Sequence, residues 1–169
     1  MFSALYLRLF IIGLLLSIST VYSQEKMDEK MGGHENGHIM VVPSDLKWVD
    51  GPQSLPKGVK VAVLEGDPSK PGPFTMRAKM PADYKIAPHT HPAVEHVTVI
   101  SGSCYMGLGG VFDGSKATEL TVGGFATMEV GTQHFFFTKT ECEIQLHGIG
   151  PWGITYVNPK DDPRNVTSQ

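Results

Sequence analysis

The chain has 169 residues, which suits one domain, and its 19 glycines and 12 prolines announce many turns. Its formal net charge is −3 with 18% charged residues. No Lys/Arg stripe appears, which argues against a nucleic-acid footprint, and the surface charge points to no class of macromolecular partner.

Residues 1–23 read as a secretory signal peptide. Arg8 precedes an apolar run from Leu9 to about Leu16, and Val21-Tyr22-Ser23 ends in a residue small enough for cleavage. The run is short for the ~30 Å hydrocarbon core of a bilayer, which disfavours a stable membrane anchor. The mature protein is therefore expected to start near Gln24 and to be periplasmic or secreted. Residues 24–40, "QEKMDEKMGGHENGHIM", are polar and without period, so they read as a flexible lead-in. His34 and His38 lie here at helical spacing, but Gly32, Gly33 and Gly37 argue against a helix that would pair them.

From Val41 the chain is a succession of short strands, and 41–160 is expected to form the folded domain. The predicted strands are 59–65, 74–80, 94–100, 103–109, 118–122, 125–130, 134–138, 143–149 and 152–157. Turn signals separate them, including "EGDPSKPGP", "MPADYKIAP" and "GLGGVFDGSK". No segment beyond the signal peptide keeps a helical period. Short strands at this spacing point to a sandwich or barrel. "VKVAVLE" (59–65) is a candidate edge strand through which a homodimer could form. Residues 161–169 read as a polar C-terminal tail carrying an Asn165-Val166-Thr167 sequon. The two cysteines, Cys104 and Cys142, sit in apolar strands; sequence alone does not decide between a disulfide and two buried thiols.

One stretch concentrates chemistry. "APHTHPAVEHVTVISG" (87–102) places His89, His91, Glu95 and His96 within eight residues. Side chains alternate along extended backbone, and Pro88 and Pro92 favour extension at the residues before them. His89, His91 and Glu95 share a parity and can converge. His96 has the opposite parity and is expected on the surface or packed on the sheet. His134, opening the aromatic strand "HFFFT", is the best candidate for a fourth ligand. Three imidazoles and a carboxylate suit one divalent transition metal ion, namely Zn, Mn, Fe, Ni or Cu. Such a set leaves coordination positions open for water or substrate.

These residues resemble the cupin superfamily. His89, His91, Glu95 and Gly102 match the spacing of the first cupin motif, whose leading glycine would fall at Asp83. Gly123, Gly131 and His134 match the second motif, with Glu129 where proline is expected and Thr138 where asparagine is expected. The wider run is similar to small single-domain cupins and to the cupin domain of ChrR-type anti-sigma factors. The resemblance implies an all-β, cupin-type β-jelly-roll barrel (double-stranded β-helix) holding one metal through His89, His91, Glu95 and His134.

Around that centre, Gln145 and His147 share one face of "EIQLHGI" and become substrate-binding groups if that face is the interior; an outward polar face is the equal alternative. Tyr84, Tyr105, Phe136 and Trp152 are candidates to line a pocket, with plain core packing as the competing role. Glu129 is a candidate base at the barrel mouth or simply a turn-side carboxylate.

The expected function is an exported metal-binding cupin acting as a metalloenzyme on a small organic substrate, by oxygenase, isomerase or hydrolase chemistry that the fold does not choose. The alternative is a non-catalytic, metal-dependent small-ligand binder or sensor. An oxidising location favours Zn, Mn or Cu over Fe(II). ChrR-type proteins carry a further sigma-binding region, for which this chain leaves no room, so an anti-sigma role is not expected.

Overall fold

A computed structural model describes residues 37–165. The chain divides into two units, Met1–Met40 and Val41–Gln169, and every described strand belongs to the second. The signal-peptide expectation, most of the lead-in including His34, and the end of the sequon lie outside the described residues. His38 is exposed.

Among the described residues eleven strands follow in chain order: β1 (Val49–Asp50), β2 (Lys60–Glu65), β3 (Gly72–Met80), β4 (Lys85–Thr90), β5 (Glu95–Ser101), β6 (Ser103–Leu108), β7 (Thr118–Thr121), β8 (Phe125–Met128), β9 (His134–Phe137), β10 (Cys142–Gly150) and β11 (Thr155–Tyr156). They form a six-stranded sheet, β1-β2-β3-β10-β5-β8, and a five-stranded sheet, β11-β4-β9-β6-β7. All pairs are antiparallel. Neighbours such as β10 beside both β3 and β5 are far apart in sequence, as in the double-sheet jelly roll.

Strand alternation decides what fills the space between the sheets. On β3, Phe74, Met76, Ala78 and Met80 are buried while Thr75, Arg77 and Lys79 are less so. On β5, Glu95, Val97 and Val99 turn inward; on β10, Cys142, Ile144 and Leu146 do. Each fully buried apolar side chain of this size contributes about 1.5–3 kcal/mol. Outside the six-stranded sheet, Arg77 reaches Glu143 at 3.2 Å and donates Nε–H to Gln145 at 3.2 Å.

Four expectations change. The segment "MPADYKIAP" is not all turn, because Lys85–Thr90 is β4, paired with β9. The last expected strand shortens to two residues. β2 is not the edge of its sheet, since Val49 and Asp50 of β1 pair with Val61 and Lys60. Residues Pro159–Asp161 and Pro163–Asn165 at the C-terminal end form short 3-10 turns, and Asp162 accepts both side-chain and backbone bonds from Arg164. Cys104 and Cys142 are free thiols, fully buried and in contact with each other across the two sheets. The hydrogen bond with Cys142, and burial after it, push the Cys104 thiol well above its ordinary pKa.

Two of the three departures from the cupin motifs meet in one turn. Asp83 is the sole described non-glycine residue with positive φ, at 57°, a conformation that aspartate tolerates better than most residues. Thr138, buried beneath the exposed Asp83 turn, donates its hydroxyl to the Pro81 carbonyl at 2.7 Å and accepts from the Tyr84 N–H at 3.0 Å. Thr138 thus pins the turn in which Asp83 replaces glycine, and that turn launches β4.

Candidate metal centre

Four buried polar side chains meet at one end of the interior: His89 on β4, His91 just beyond it, Glu95 opening β5 and His134 opening β9. β4 and β9 lie side by side with His89 opposite His134, and Tyr156 of β11 flanks His89 on its other side. The segment after β4 is held by Gly131, whose N–H donates to the His91 carbonyl at 3.0 Å. Gly131 takes φ 75°, which suits glycine at this turn.

The imidazoles are oriented by backbone carbonyls. Nδ1 of His89 donates to Ala87 O at 2.7 Å, Nδ1 of His91 to Gly153 O at 2.6 Å, and Nδ1 of His134 to Thr132 O at 3.0 Å. A carbonyl only accepts, so all three rings carry hydrogen on Nδ1, and the neutral form of such a ring keeps its lone pair on Nε2. One ring nitrogen from each histidine lies within 4.8 Å of the others. The Glu95 carboxylate straddles two of them, with Oε1 3.4 Å from His91 Nε2 and Oε2 3.4 Å from His134 Nε2. Burial pushes the His89 pKa down to about 3, with His134 adding to the effect, and burial lowers that of His91. Both rings are neutral near pH 7, the form that ligates a metal.

A polar atom left over tests whether a metal fits. His91 Nε2 is buried with no hydrogen-bond partner among the described residues. An unpartnered buried acceptor costs about 1–3 kcal/mol. A cation at the centre of the three rings would satisfy it, and the nitrogen-and-oxygen donor set suits a divalent transition metal.

Of the other candidates, Phe136, Tyr84 and Trp152 line the cavity beside this cluster. Trp152 stacks on His91 with ring centroids 4.6 Å apart and planes 20° apart. Its backbone N–H donates to Pro68 O at 2.7 Å, so the loop after β10 forms a wall of the site.

Four candidates go elsewhere. Gln145 and His147 occupy the outer face of β10, because Ile144 and Leu146 take the interior. Gln145 bonds Arg77, and His147 stacks on His96 at 4.7 Å with planes 6° apart. Tyr105 points outward from β6 and stacks on Phe137 at 4.8 Å, while Cys104 and Met106 point inward. His96 sits on the sheet's outer face against His147 and Phe125, as its parity requires. Glu129 is an exposed turn residue whose carbonyl accepts from Thr132 N–H. Sequence reasoning missed the carbonyls of Ala87, Thr132 and Gly153, which carry no side-chain signal, and the apolar stripe of β3, whose alternation was visible in "FTMRAKM".

Solved structures share this architecture. The polyketide cyclase RemF from Streptomyces resistomycificus matches with a TM-score of 0.60 at 20% identity, over 75% of this chain and 89% of its own. A candidate acetylacetone dioxygenase from Methylibium petroleiphilum PM1 matches at 0.58 and 19%, over 79% and 90%. An RmlC-like cupin from Shewanella frigidimarina NCIMB 400 matches at 0.53 and 14%, over 68% and 94%. At these identities the likeness is one of fold. No curated protein matches the sequence. The family model of the ChrR cupin-like domain matches residues 36–145, and with the jelly roll and the clustered motif residues in place, the chain belongs to that cupin family.

Proposed function

We propose that this protein is an exported metalloenzyme. In this reading His89, His91, His134 and Glu95 hold one divalent transition metal ion, and a small organic substrate reacts in the cavity in front of it. The observation that carries the reading is the set of three Nδ1–H donations to backbone carbonyls, which leaves the three Nε2 atoms to face one another beside a carboxylate. When bound, such an ion supplies Lewis acidity toward a substrate oxygen, and one-electron chemistry where the ion is redox-active.

The protein's own residues do the rest. The carbonyls of Ala87, Gly153 and Thr132 fix ring orientation and tautomer, as partners behind metal-bound histidines do. Trp152, stacked on His91, and the apolar cavity lining restrict water around the reacting atoms. Glu95, between His91 and His134, places a carboxylate where it can balance cationic charge. The fold neighbours named for an activity, a polyketide cyclase and a candidate acetylacetone dioxygenase, support catalysis on this scaffold without choosing the reaction.

The test is metal content by mass spectrometry on the purified full-length gene product, followed by O2 uptake and product analysis with diketones, phenols and thiols. The expected result is about one ion per chain and turnover of one of these classes. His91→Ala should lose both while keeping the wild-type far-UV spectrum. Absence of metal after reconstitution would sink the reading, and metal without turnover would leave a ligand-binding or sensor protein. N-terminal sequencing of the same preparation, made in an exporting host, should begin near Gln24; an intact Met1 would contradict export.

A further inference from the structure

The space in front of the histidines has a chemistry of its own. A cavity of about 410 Å3 lies between the two sheets. Strand alternation turns Met76, Ala78 and Met80 of β3, Val97 of β5, and Ile144 and Leu146 of β10 into it. No Lys or Arg lines it among the described residues.

Most of the polar groups along its length are already committed. The Tyr84 hydroxyl donates to Pro56 O at 2.8 Å, and burial raises its pKa, so it stays protonated. Tyr156, outside the cavity lining, donates its hydroxyl to Ser54 O at 2.9 Å. These two bonds hold the 54–56 segment, with Leu55 among the cavity-lining residues. Asp50 is exposed, and its carboxylate meets Lys60 at 2.7 Å. Besides the hydroxyls of Ser54 and Ser69, the second of which donates to Asp67, the polar side-chain groups left along it are the histidine–glutamate cluster and the indole Nε1–H of Trp152, which is buried without an acceptor.

We propose that the ligand of this cavity is an uncharged molecule with one oxygen-bearing end and an apolar body of roughly a dozen non-hydrogen atoms, taking about 30 Å3 per water-sized group. The oxygen-bearing end lies toward the histidines and the body lies along β3, β5 and β10. An anionic body would find no cation to pair with. A sugar would bury several hydroxyls with no partner, each lowering affinity by about tenfold or more. The placement of the oxygen-bearing end rests on the function proposed above; the nature of the body rests on the cavity alone.

The test uses n-alkyl hydroxamates of increasing length, whose head chelates metals and whose tail varies. Their affinities are measured by calorimetry on the zinc-loaded and the metal-free protein. Affinity should rise about fourfold per methylene until the tail reaches roughly a dozen atoms, then level off. Hydroxamates with a polyhydroxyl tail, or with a terminal carboxylate, should bind at least tenfold more weakly than alkyl ones of equal length. Ala78→Leu, checked by its thermal melt, should shorten the preferred tail by about three carbons, which binding on the outer surface would not do. A flat dependence on tail length, or polyhydroxyl or carboxylate tails binding as tightly as alkyl ones, would overturn the inference. The offset between loaded and metal-free protein at fixed tail length reports separately on the metal. A rising tail dependence with no offset would keep the apolar-body assignment and reject the metal centre.

Discussion

At the scale of single residues, burial keeps two of the site's histidines, His89 and His91, neutral. His89 has its pKa held near 3, against an ordinary value of about 6.5. Below pH 6.5 the unfolded chain takes up a proton at His89 that the folded chain refuses until about pH 3. Metal-free protein should therefore lose stability as pH falls through that window, by up to about 1.4 kcal/mol per pH unit from this one group. His91 is shifted in the same direction, for the same leading reason, and adds to the loss. Urea midpoints between pH 7 and 5, above the main carboxylate range, should fall steadily, and His89→Gln should flatten the slope. A midpoint that stays level from pH 7 to 5 in the wild type would contradict the burial reading. Residue identity and parity made much of this readable beforehand: a period of two put His89, His91 and Glu95 on one face and sent His96 to the other. Parity alone could not choose a face for Gln145 and His147. That choice followed from the apolar Ile144 and Leu146 claiming the interior.

At the scale of elements, the strands were readable where one face is wet and obscure where both are covered. β3 alternates cleanly in sequence and β5 less so, although both alternate in burial, whereas β6 and β9 carry large side chains on both faces. Phe135 is fully buried on the side away from the cavity, under Phe112 at 4.6 Å, and Tyr105 lies flat on Phe137. This covering is why Tyr105 resembled a pocket residue. β4 was hidden for a different reason. Its pairing with β9 shifts register between Ile86 and His89, so Ile86 and His89 both reach the cavity despite opposite parity. Pro88, at that irregularity, disguised the strand as a turn. The packing of β6 on β9 gives a direct check. A Cβ at Gly107 would overlap the Phe135 ring, which is fully buried and has nowhere to move. Gly107→Ala should cost about 1–3 kcal/mol in chemical denaturation, and adding Phe135→Leu should restore part of the loss. An unchanged midpoint in Gly107→Ala would mean that β6 and β9 sit farther apart.

At the scale of the molecule, the jelly roll brings one residue from near position 134 to three from positions 89–95. It does so because β4 and β9 are neighbours in one sheet while β5 belongs to the other. Four polar side chains are placed at one end of an otherwise apolar interior, an arrangement that costs stability unless something satisfies them. A bound divalent ion would do so, stabilising the fold by about 4 kcal/mol at a thousandfold excess over its dissociation constant. Two buried thiols, Cys104 and Cys142, offer the competing ligand chemistry inside the same domain. X-ray absorption of the zinc-loaded protein separates the two directly. The predicted spectrum shows imidazole nitrogens at about 2.0–2.1 Å with the outer-shell scattering of about three histidine rings and no sulfur; a zinc–sulfur distance of about 2.3 Å, or a shell without imidazole scattering, would contradict a metal centre built from His89, His91, His134 and Glu95.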